Sequence, residues 1–264
     1  MNVYDSERML ETISATHDLV NDPNEADAIL LNTCHIREKA AEKVYSEIGK
    51  FSDLKSKNKN LKVVVAGCVA QAEGKAMLQR QPLIDSIIGP QMYQNLSKVL
   101  LYESNNKNVL LDFKEEEKFS KLGTKRNITS ISSFITIQEG CDKFCSFCVV
   151  PFTRGAEYSR SVEEIVDEAK SLCEKGCKEI ILLGQNVNAY HGINKNKVQI
   201  NLAGLITELA KITKLERITY TTSHPRDMND DLINLHQDNE KLNPYLHLPV
   251  QSGSDSILKN MNRK

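Results

Sequence analysis

No apolar run in these 264 residues approaches the roughly 20 residues that a membrane span needs, so no transmembrane helix is expected. The opening stretch, MNVYDSERML, has neither a basic n-region nor an apolar h-region, and no export signal is read there. Both absences point to the cytoplasm. Charge of one sign is also lacking. The formal net charge is −1, which excludes a chain that holds nucleic acid by overall basicity. A local basic set at Lys55, Lys57, Lys59 and Lys62 reads as a solvated helix end and loop. Low-complexity repeats and long Gly/Ser linkers are missing too. The cysteine count is not even: seven cysteines in an apparently cytosolic chain argue against a disulfide framework and for metal binding or catalysis by some of them.

What is present is alternation of helix and strand patterns. A helix is expected over Ser6–Thr16, with Met9, Leu10 and Ile13 on one face. Short buried-type strands are expected at Ala28–Leu31, Leu61–Ala66 and Ser86–Gly89, each followed by a helix; the last helix runs from about Tyr93 to Tyr102. This βαβα order implies a parallel sheet with helices on its faces. Glu103–Thr129 breaks the pattern and reads as an interdomain linker with one short strand at Val109–Leu111. A second series follows. Its strands are expected at Ser133–Gln138, Glu179–Leu183, Glu216–Thr222 and Tyr245–Val250, and its helices at Val162–Lys175, Asn201–Thr213 and Asp230–Gln237. Ser161 suits an N-cap and Gly176 a C-cap for the first of these helices. Two domains are expected, 1–125 and 126–264.

Chemistry is concentrated at Gly140–Cys148. Cys141, Cys145 and Cys148 have C-x3-C-x2-C spacing in a loop after an expected strand. Three thiolates so close can wrap one iron–sulfur cluster. A structural zinc site needs a fourth protein ligand, and no second C-x2-C or histidine pair follows at the usual spacing. Three ligands leave one iron open for chemistry.

The triplet, with Phe147 before its last cysteine, resembles the signature of the radical S-adenosylmethionine (SAM) superfamily. The surrounding runs are CDKFCSFCVVPFTRGAEYSR, LLGQNVNAY, TYTTSHP, HLPVQSGSDSILKNMNR, MNVYDSERM, LNTCHIREKA and AGCVAQ, and together they resemble the radical SAM methylthiotransferases. The Val-Val-Pro-Phe-Thr-Arg-Gly and Thr-Ser-His-Pro runs favour the branch that acts on isopentenylated tRNA. The resemblance implies an α/β fold: an N-terminal Rossmann-like parallel sheet, then a radical SAM partial (β/α) barrel, truncated here. It implies that Cys141, Cys145 and Cys148 hold a [4Fe–4S] cluster whose open iron takes SAM, that a 5′-deoxyadenosyl radical is generated, and that a methylthio group is added to C2 of N6-(dimethylallyl)adenosine next to the tRNA anticodon. Phe147 is then the position whose backbone borders the adenine. Gly184, Gln185, Asn186, Ser223, Gln251, Ser252 and Gly253 fall at expected strand ends, where SAM lies across the sheet; alternatively Gly184 and Gly253 only turn the chain.

Cys34 and Cys68 each follow an expected strand. Taken alone they are either two small buried thiols or a pair bridged by one metal. By resemblance they are two of three ligands to a second, auxiliary [4Fe–4S] cluster. The family's third cysteine stands just ahead of the Met-Asn-x-x-Asp-Ser-Glu run with which this sequence opens, and the family continues past Lys264 into further barrel strands and a tRNA-gripping β-barrel. A fragment is therefore expected. Cys173 and Cys177 read as structural. His224 either lines the pocket or is a turn residue, and His247 is expected to be packed in a strand. Arg154 and Arg160 either recognise phosphate or carboxylate or form structural salt bridges. Glu38 and Lys39 read as a solvated helix face. The implied partners are tRNA carrying isopentenyladenosine and an electron donor of flavodoxin or ferredoxin type, with a monomeric, membrane-free enzyme. Two alternatives stay open: methylthio transfer to threonylcarbamoyl-tRNA or a ribosomal protein, and a non-catalytic iron–sulfur or zinc RNA-binding module.

Overall fold

A computed structural model describes residues 1–34, 38–101, 107–127 and 129–263, with the side chains of 38–40 and 115–117 outside that description. His35–Arg37 of the LNTCHIREKA run, the expected solvated face at Glu38 and Lys39, Tyr102 and residues 103–106 of the expected linker thus fall outside it in whole or in side chain. The chain forms two compact units. The first is Asn2–Leu122 together with Phe152–Arg154; the second is Gly123–Pro151 and Gly155–Lys264 with Met1.

In the first unit the elements run α1 (Asn2–Ile13), β1 (Ala28–Thr33), α2 (Glu38–Gly49), α3 (Ser52–Lys57), β2 (Lys62–Gly67), α4 (Cys68–Glu73), α5 (Lys75–Arg80), β3 (Ser86–Ile88), α6 (Leu96–Leu101), β4 (Asn108–Leu110) and α7 (Glu115–Leu122). The four strands form one parallel sheet in the order β1-β2-β3-β4. Strand β2 is buried on both faces, which is why its sequence is a near-continuous apolar run. The pleat sends Val63 and Val65 to a core shared with α2, α4 and α5, and Val64 and Ala66 to a core shared with α1 and α6.

The stretch read as linker supplies the short strand expected in it, β4, paired with β3 in register Ile87↔Val109, and beyond that expectation a helix, α7. Helix α1 buries Tyr4, Asp5, Arg8 and Met9, while Leu10 is exposed. Charge explains that face. The buried Asp5 carboxylate lies 2.6 Å from Arg154 and 3.8 Å from Lys118. Burial pushes its pKa up, but the two cations more than offset this and hold it below the usual carboxylate range. Arg154 is therefore in a structural ion pair. Of the four lysines read as solvated, Lys55 pairs with Asp85 and Lys62 donates to the Leu100 carbonyl at 2.6 Å, so both are tied down.

The second unit runs β5 (Ser132–Thr136), β6 (Gln138–Glu139), α8 (Val150–Arg154, whose last three residues cluster with the first unit), β7 (Tyr158–Ser159), α9 (Val162–Glu174), β8 (Glu179–Leu183), β9 (His191–Ile193), β10 (Gln199–Asn201), α10 (Leu202–Ala210), β11 (Arg217–Thr221), α11 (Asp230–Asp238) and α12 (Asp255–Asn260). Strands β5, β8 and β11 form a parallel sheet with β8 in the middle. Helices α9 and α10 close one apolar core with it, through Ile165, Leu172, Leu205 and Leu209 against Ile180 and Leu182. Ser161 caps α9 by accepting from the Glu164 amide at 3.3 Å, a bond worth about 1 kcal/mol. At the other end Gly176, with φ +98°, lets the Cys177 amide reach back to the Leu172 carbonyl.

Tyr245–Val250 is not a strand. Pro244 and Pro249 remove two backbone donors, and the segment touches the end of β11 through the Ser223 amide to the His247 carbonyl. His247 consequently lies in irregular chain, its Nδ1 accepting from the Thr222 amide at 3.2 Å. Gln251, Ser252 and Gly253 do not sit at a strand end.

Candidate functional site

The cysteine loop leaves β6 through Gly140. Its φ is +75°, and a Cβ there would lie 1.9 Å from the Ala156 carbonyl oxygen. Only glycine allows this approach. Gly140→Ala is expected to destabilise the second unit by more than about 1 kcal/mol and to lower iron loading of the loop; an unchanged melting temperature and iron content would remove this role. The loop is then pinned backbone to backbone. The Cys141 amide donates to the Gly155 carbonyl at 3.3 Å and the Cys148 amide to the Cys145 carbonyl at 2.9 Å. Phe144 turns the loop with φ +48°.

Cys145 is buried, while Cys141 and Cys148 are half-buried. Burial pushes the Cys141 thiol up to about 11, helped by the negative charges of Glu157, Cys148 and Cys145 and opposed by the Lys143 amide. Cys141 thus feels the charges of the other two, and binding iron there must displace its proton. Among the described residues no three His, Cys, Asp or Glu side chains converge as the ligands of a single ion do. A cubane cluster is held corner by corner, each thiolate on its own iron. The donor set on this loop, all sulfur and open on one side, suits such a cluster.

Four of the expected SAM-contacting residues follow the neighbouring strands. Gly184, Gln185 and Asn186 come directly after β8. Ser223 follows β11, and the two loops are joined by the Val187 amide on the Thr222 carbonyl at 2.9 Å. Gly184 does not merely turn the chain: its missing Cβ makes room for Gln138, whose Oε1 would otherwise be 2.6 Å away. Asn186 and Ser223 are buried, and Asn186 Oδ1, Ser223 Oγ and Gln185 Oε1 have no protein hydrogen-bond partner. Buried polar atoms are rarely left unsatisfied without a ligand or a functional reason. Three of them on adjoining strand-end loops fit a polar ligand such as the amino-acid and ribose ends of SAM. Phe147 is exposed, as are Gln251 and Gly253; a Cβ on Gly253 would meet open space.

Three side chains bind these loops together and escaped the sequence reading. Gln138, fully buried, accepts from the Gln185 and Asn186 amides at 2.9 and 3.1 Å and donates to the Gly140 carbonyl at 2.8 Å. Asp227 takes Lys143 of the cysteine loop at 2.7 Å with one oxygen and Asn186 Nδ2 at 2.7 Å with the other. Arg263 donates to Cys145 Sγ at 3.7 Å. No local pattern marks Gln138 or Asp227, because their partners are distant in sequence. His224 is a buried turn residue whose Nδ1 accepts from the Arg226 amide, and burial lowers its pKa. Arg160 pairs with Glu168 inside the core, so it is structural. Cys173 and Cys177 lie in the apolar core; the Cys177 thiol donates to the Glu179 carbonyl at 3.0 Å.

In the first unit Cys34 and Cys68 are brought side by side. They follow Thr33 and Gly67, which pair directly at the ends of β1 and β2. Gly67, with φ +94°, has its Cβ position 2.3 Å from the Thr33 carbonyl, so the two strand ends approach closely.

A three-thiolate loop after the first strand of a parallel β/α sheet is the architecture of the radical SAM class. The profile of the Radical SAM superfamily matches residues 135–264, and that of the Uncharacterized protein family UPF0004 matches residues 1–89. The chain is 57% identical over its whole length to the tRNA-2-methylthio-N(6)-dimethylallyladenosine synthase of Jannaschia sp. (strain CCS1) and 58% identical to that of Ruegeria sp. (strain TM1040). It covers 57% and 60% of those proteins, about three-fifths of their length. Among solved structures it is similar in fold to the radical SAM methyltransferase TsrM from Kitasatospora setae, with a TM-score of 0.68 at 12% identity, over 99% of this chain and 60% of that one. A second likeness, to the cobalamin-dependent radical enzyme OxsB, has a TM-score of 0.53 at 13% identity, over 98% of this chain and 39% of that one. Over its whole length the chain is thus similar to radical SAM methylthiotransferases. The radical SAM match supports an iron–sulfur cluster and SAM as cofactors. No helix among the described residues is long and apolar enough to cross a membrane.

Proposed function

We propose that the whole protein adds a methylthio group to C2 of N6-(dimethylallyl)adenosine next to a tRNA anticodon, and that this chain carries its SAM-cleaving site. Residues 126–264 form the radical SAM domain, with Cys141, Cys145 and Cys148 on a [4Fe–4S] cluster. Residues 1–125 carry Cys34 and Cys68 for a second, auxiliary [4Fe–4S] cluster. When bound, cluster and SAM supply the one-electron chemistry that an unactivated aromatic C–H bond requires and acid–base groups cannot.

The protein's own part is positioning. Gln185, Asn186 and Ser223 offer hydrogen-bond acceptors and a hydroxyl to SAM, Phe147 borders its adenine, and Gln251, Ser252 and Gly253 complete the proposed contacts. Gln138 and Asp227 hold these loops in register with the cysteine loop. The single observation that carries the reading is the set of three buried, unpartnered polar atoms on the strand-end loops beside the thiolates. The activity for which the relatives are named favours isopentenylated tRNA over threonylcarbamoyl-tRNA or a ribosomal protein. The cytoplasm, a monomer, and electron delivery by a flavodoxin- or ferredoxin-type donor complete the proposal.

The test uses the full-length protein, anaerobically reconstituted and supplied with SAM, reductant and isopentenylated tRNA. A mass gain of one methylthio group on the modified adenosine is expected. Release of 5′-deoxyadenosine with no such product on this tRNA, but with it on another substrate, would move the assignment within the family. A colourless zinc protein without deoxyadenosine would replace it by the binding-module reading.

A further inference from the structure

Asn260–Arg263, the turn that ends α12, is far from the cysteine loop in sequence yet grips it along most of its length. The Met261 carbonyl accepts from the Ser146 amide at 3.0 Å, and the Asn260 carbonyl from Ser146 Oγ at 3.2 Å. Asn262 donates from Nδ2 to the Phe144 carbonyl at 2.9 Å and lies 3.4 Å from that of Lys143. Its φ of +51° is one that asparagine tolerates better than most residues. Arg263 completes the grip with Nη1 at 3.7 Å from Cys145 Sγ.

That last contact differs in kind from the others, because it reaches a ligand atom. Cys145 is the most buried of the three thiols, and Arg263 is only 9% exposed. The guanidinium is steadied by Nη2 on the Pro249 carbonyl, and the Arg263 backbone by its amide on the Leu258 carbonyl at 2.8 Å. A guanidinium keeps its proton at any working pH, and its N–H bonds to an anionic sulfur are charge-assisted. Cluster potentials respond to hydrogen bonds on the sulfurs, to net charge and to solvent exposure. A buried cation against a ligand sulfur is weakly screened, so it favours the more negative, reduced form.

We propose that Arg263 is a positioning residue for the cluster: it donates to the Cys145 thiolate, clamps the cysteine loop with Asn262, and makes the cluster easier to reduce. The proposal rests on the reading that Cys141, Cys145 and Cys148 hold a [4Fe–4S] cluster.

The test is an EPR-monitored redox titration of the anaerobically reconstituted chain, in a Cys34→Ala/Cys68→Ala background so that one cluster alone contributes. Arg263→Gln is expected to keep its iron and to shift the midpoint potential to more negative values, so less cluster is reduced at a fixed dithionite poise. Arg263→Lys keeps the charge but not the fork and is expected to fall between. Full iron content with an unchanged midpoint in Arg263→Gln overturns the proposal. Should Arg263→Gln lose its iron, Arg263→Lys decides: a negative shift supports the role and an unshifted midpoint overturns it. An unsubstituted background chain with no [4Fe–4S] signal overturns the reading of the loop itself, and this proposal with it.

Discussion

Cys141→Ala is expected to empty the cysteine loop of iron and abolish SAM cleavage. Three thiolates are the minimum that leaves one open iron on a cubane, and the loop offers no substitute. Glu157 and Asp142 are the nearby acids: Asp142 already accepts from the Glu157 amide at 3.1 Å, and Glu157 lies 3.2 Å from His191. Carboxylate oxygen is in any case a poor exchange for thiolate on iron–sulfur clusters. The measurement is iron and acid-labile sulfide per chain after anaerobic reconstitution, with 5′-deoxyadenosine followed in parallel. The unsubstituted chain should hold about four irons, and the variant almost none at this loop. About eight in the unsubstituted chain would mean that Cys34 and Cys68 complete the second cluster with an outside ligand. Cys173→Ala is the control: its side chain faces the apolar core at 4% exposure, so its iron content should not change. Retention of both iron and cleavage in Cys141→Ala would sink the assignment of the loop.

Glu168→Ala is expected to cost the second unit about 3–5 kcal/mol. Glu168 lies on the inner face of α9, fully buried, with one oxygen 2.8 Å from Arg126 and the other 2.8 Å from Arg160. The same two guanidiniums donate to the Phe134 and Thr136 carbonyls of β5 at 3.3 and 2.7 Å. The triad thus ties the approach to β5, the chain after β7 and helix α9 to one point. Removing the carboxylate leaves two buried cations without the charge they share, and that cost is far larger than any surface pair's. Whole domains are stable by only about 5–15 kcal/mol, so the variant should melt well below the unsubstituted chain. Glu208→Ala removes an exposed pair with Lys211 and should change stability by less than about 1 kcal/mol. Coincident melting curves for the two variants would show that the buried triad carries no special weight. Because Glu168 pairs with Arg126 and Arg160 inside the core, material that still folds at low temperature should load iron normally.

Much of this was legible in the sequence. The cysteine loop is read from spacing, since neighbouring residues in one short loop are close whatever the rest of the chain does. Helix α9 is legible from its period and from Ser161 and Gly176 at its ends. The apolar run of β2 declares a strand buried on both sides. The errors came where partners are remote. Tyr245–Val250 has the composition of a strand, but Pro244 and Pro249 deny it a ladder. The strand at Val109 is legible from its apolar residues, but the helix that follows it, α7, is not, because its charged run EEEK carries little apolar period. Leu10 was placed inward on apolarity, whereas the buried face of α1 is set by Asp5 and its cations.

The sequence by itself determined where the thiols that could hold iron are grouped, the alternation of the main strands and helices in each half, and the family resemblance. These follow from residue type, local spacing and hydrophobic period, all properties of short stretches of chain. Only the tertiary structure decided that Gln138, Asp227 and Arg263 join the loops around the cysteines, that Arg160 and Glu168 are core rather than surface, and that Gln185, Asn186 and Ser223 keep buried polar atoms without a protein partner. Each of those depends on a hydrogen bond or ion pair closed across the fold, and burial makes such bonds strong and an unmade one costly.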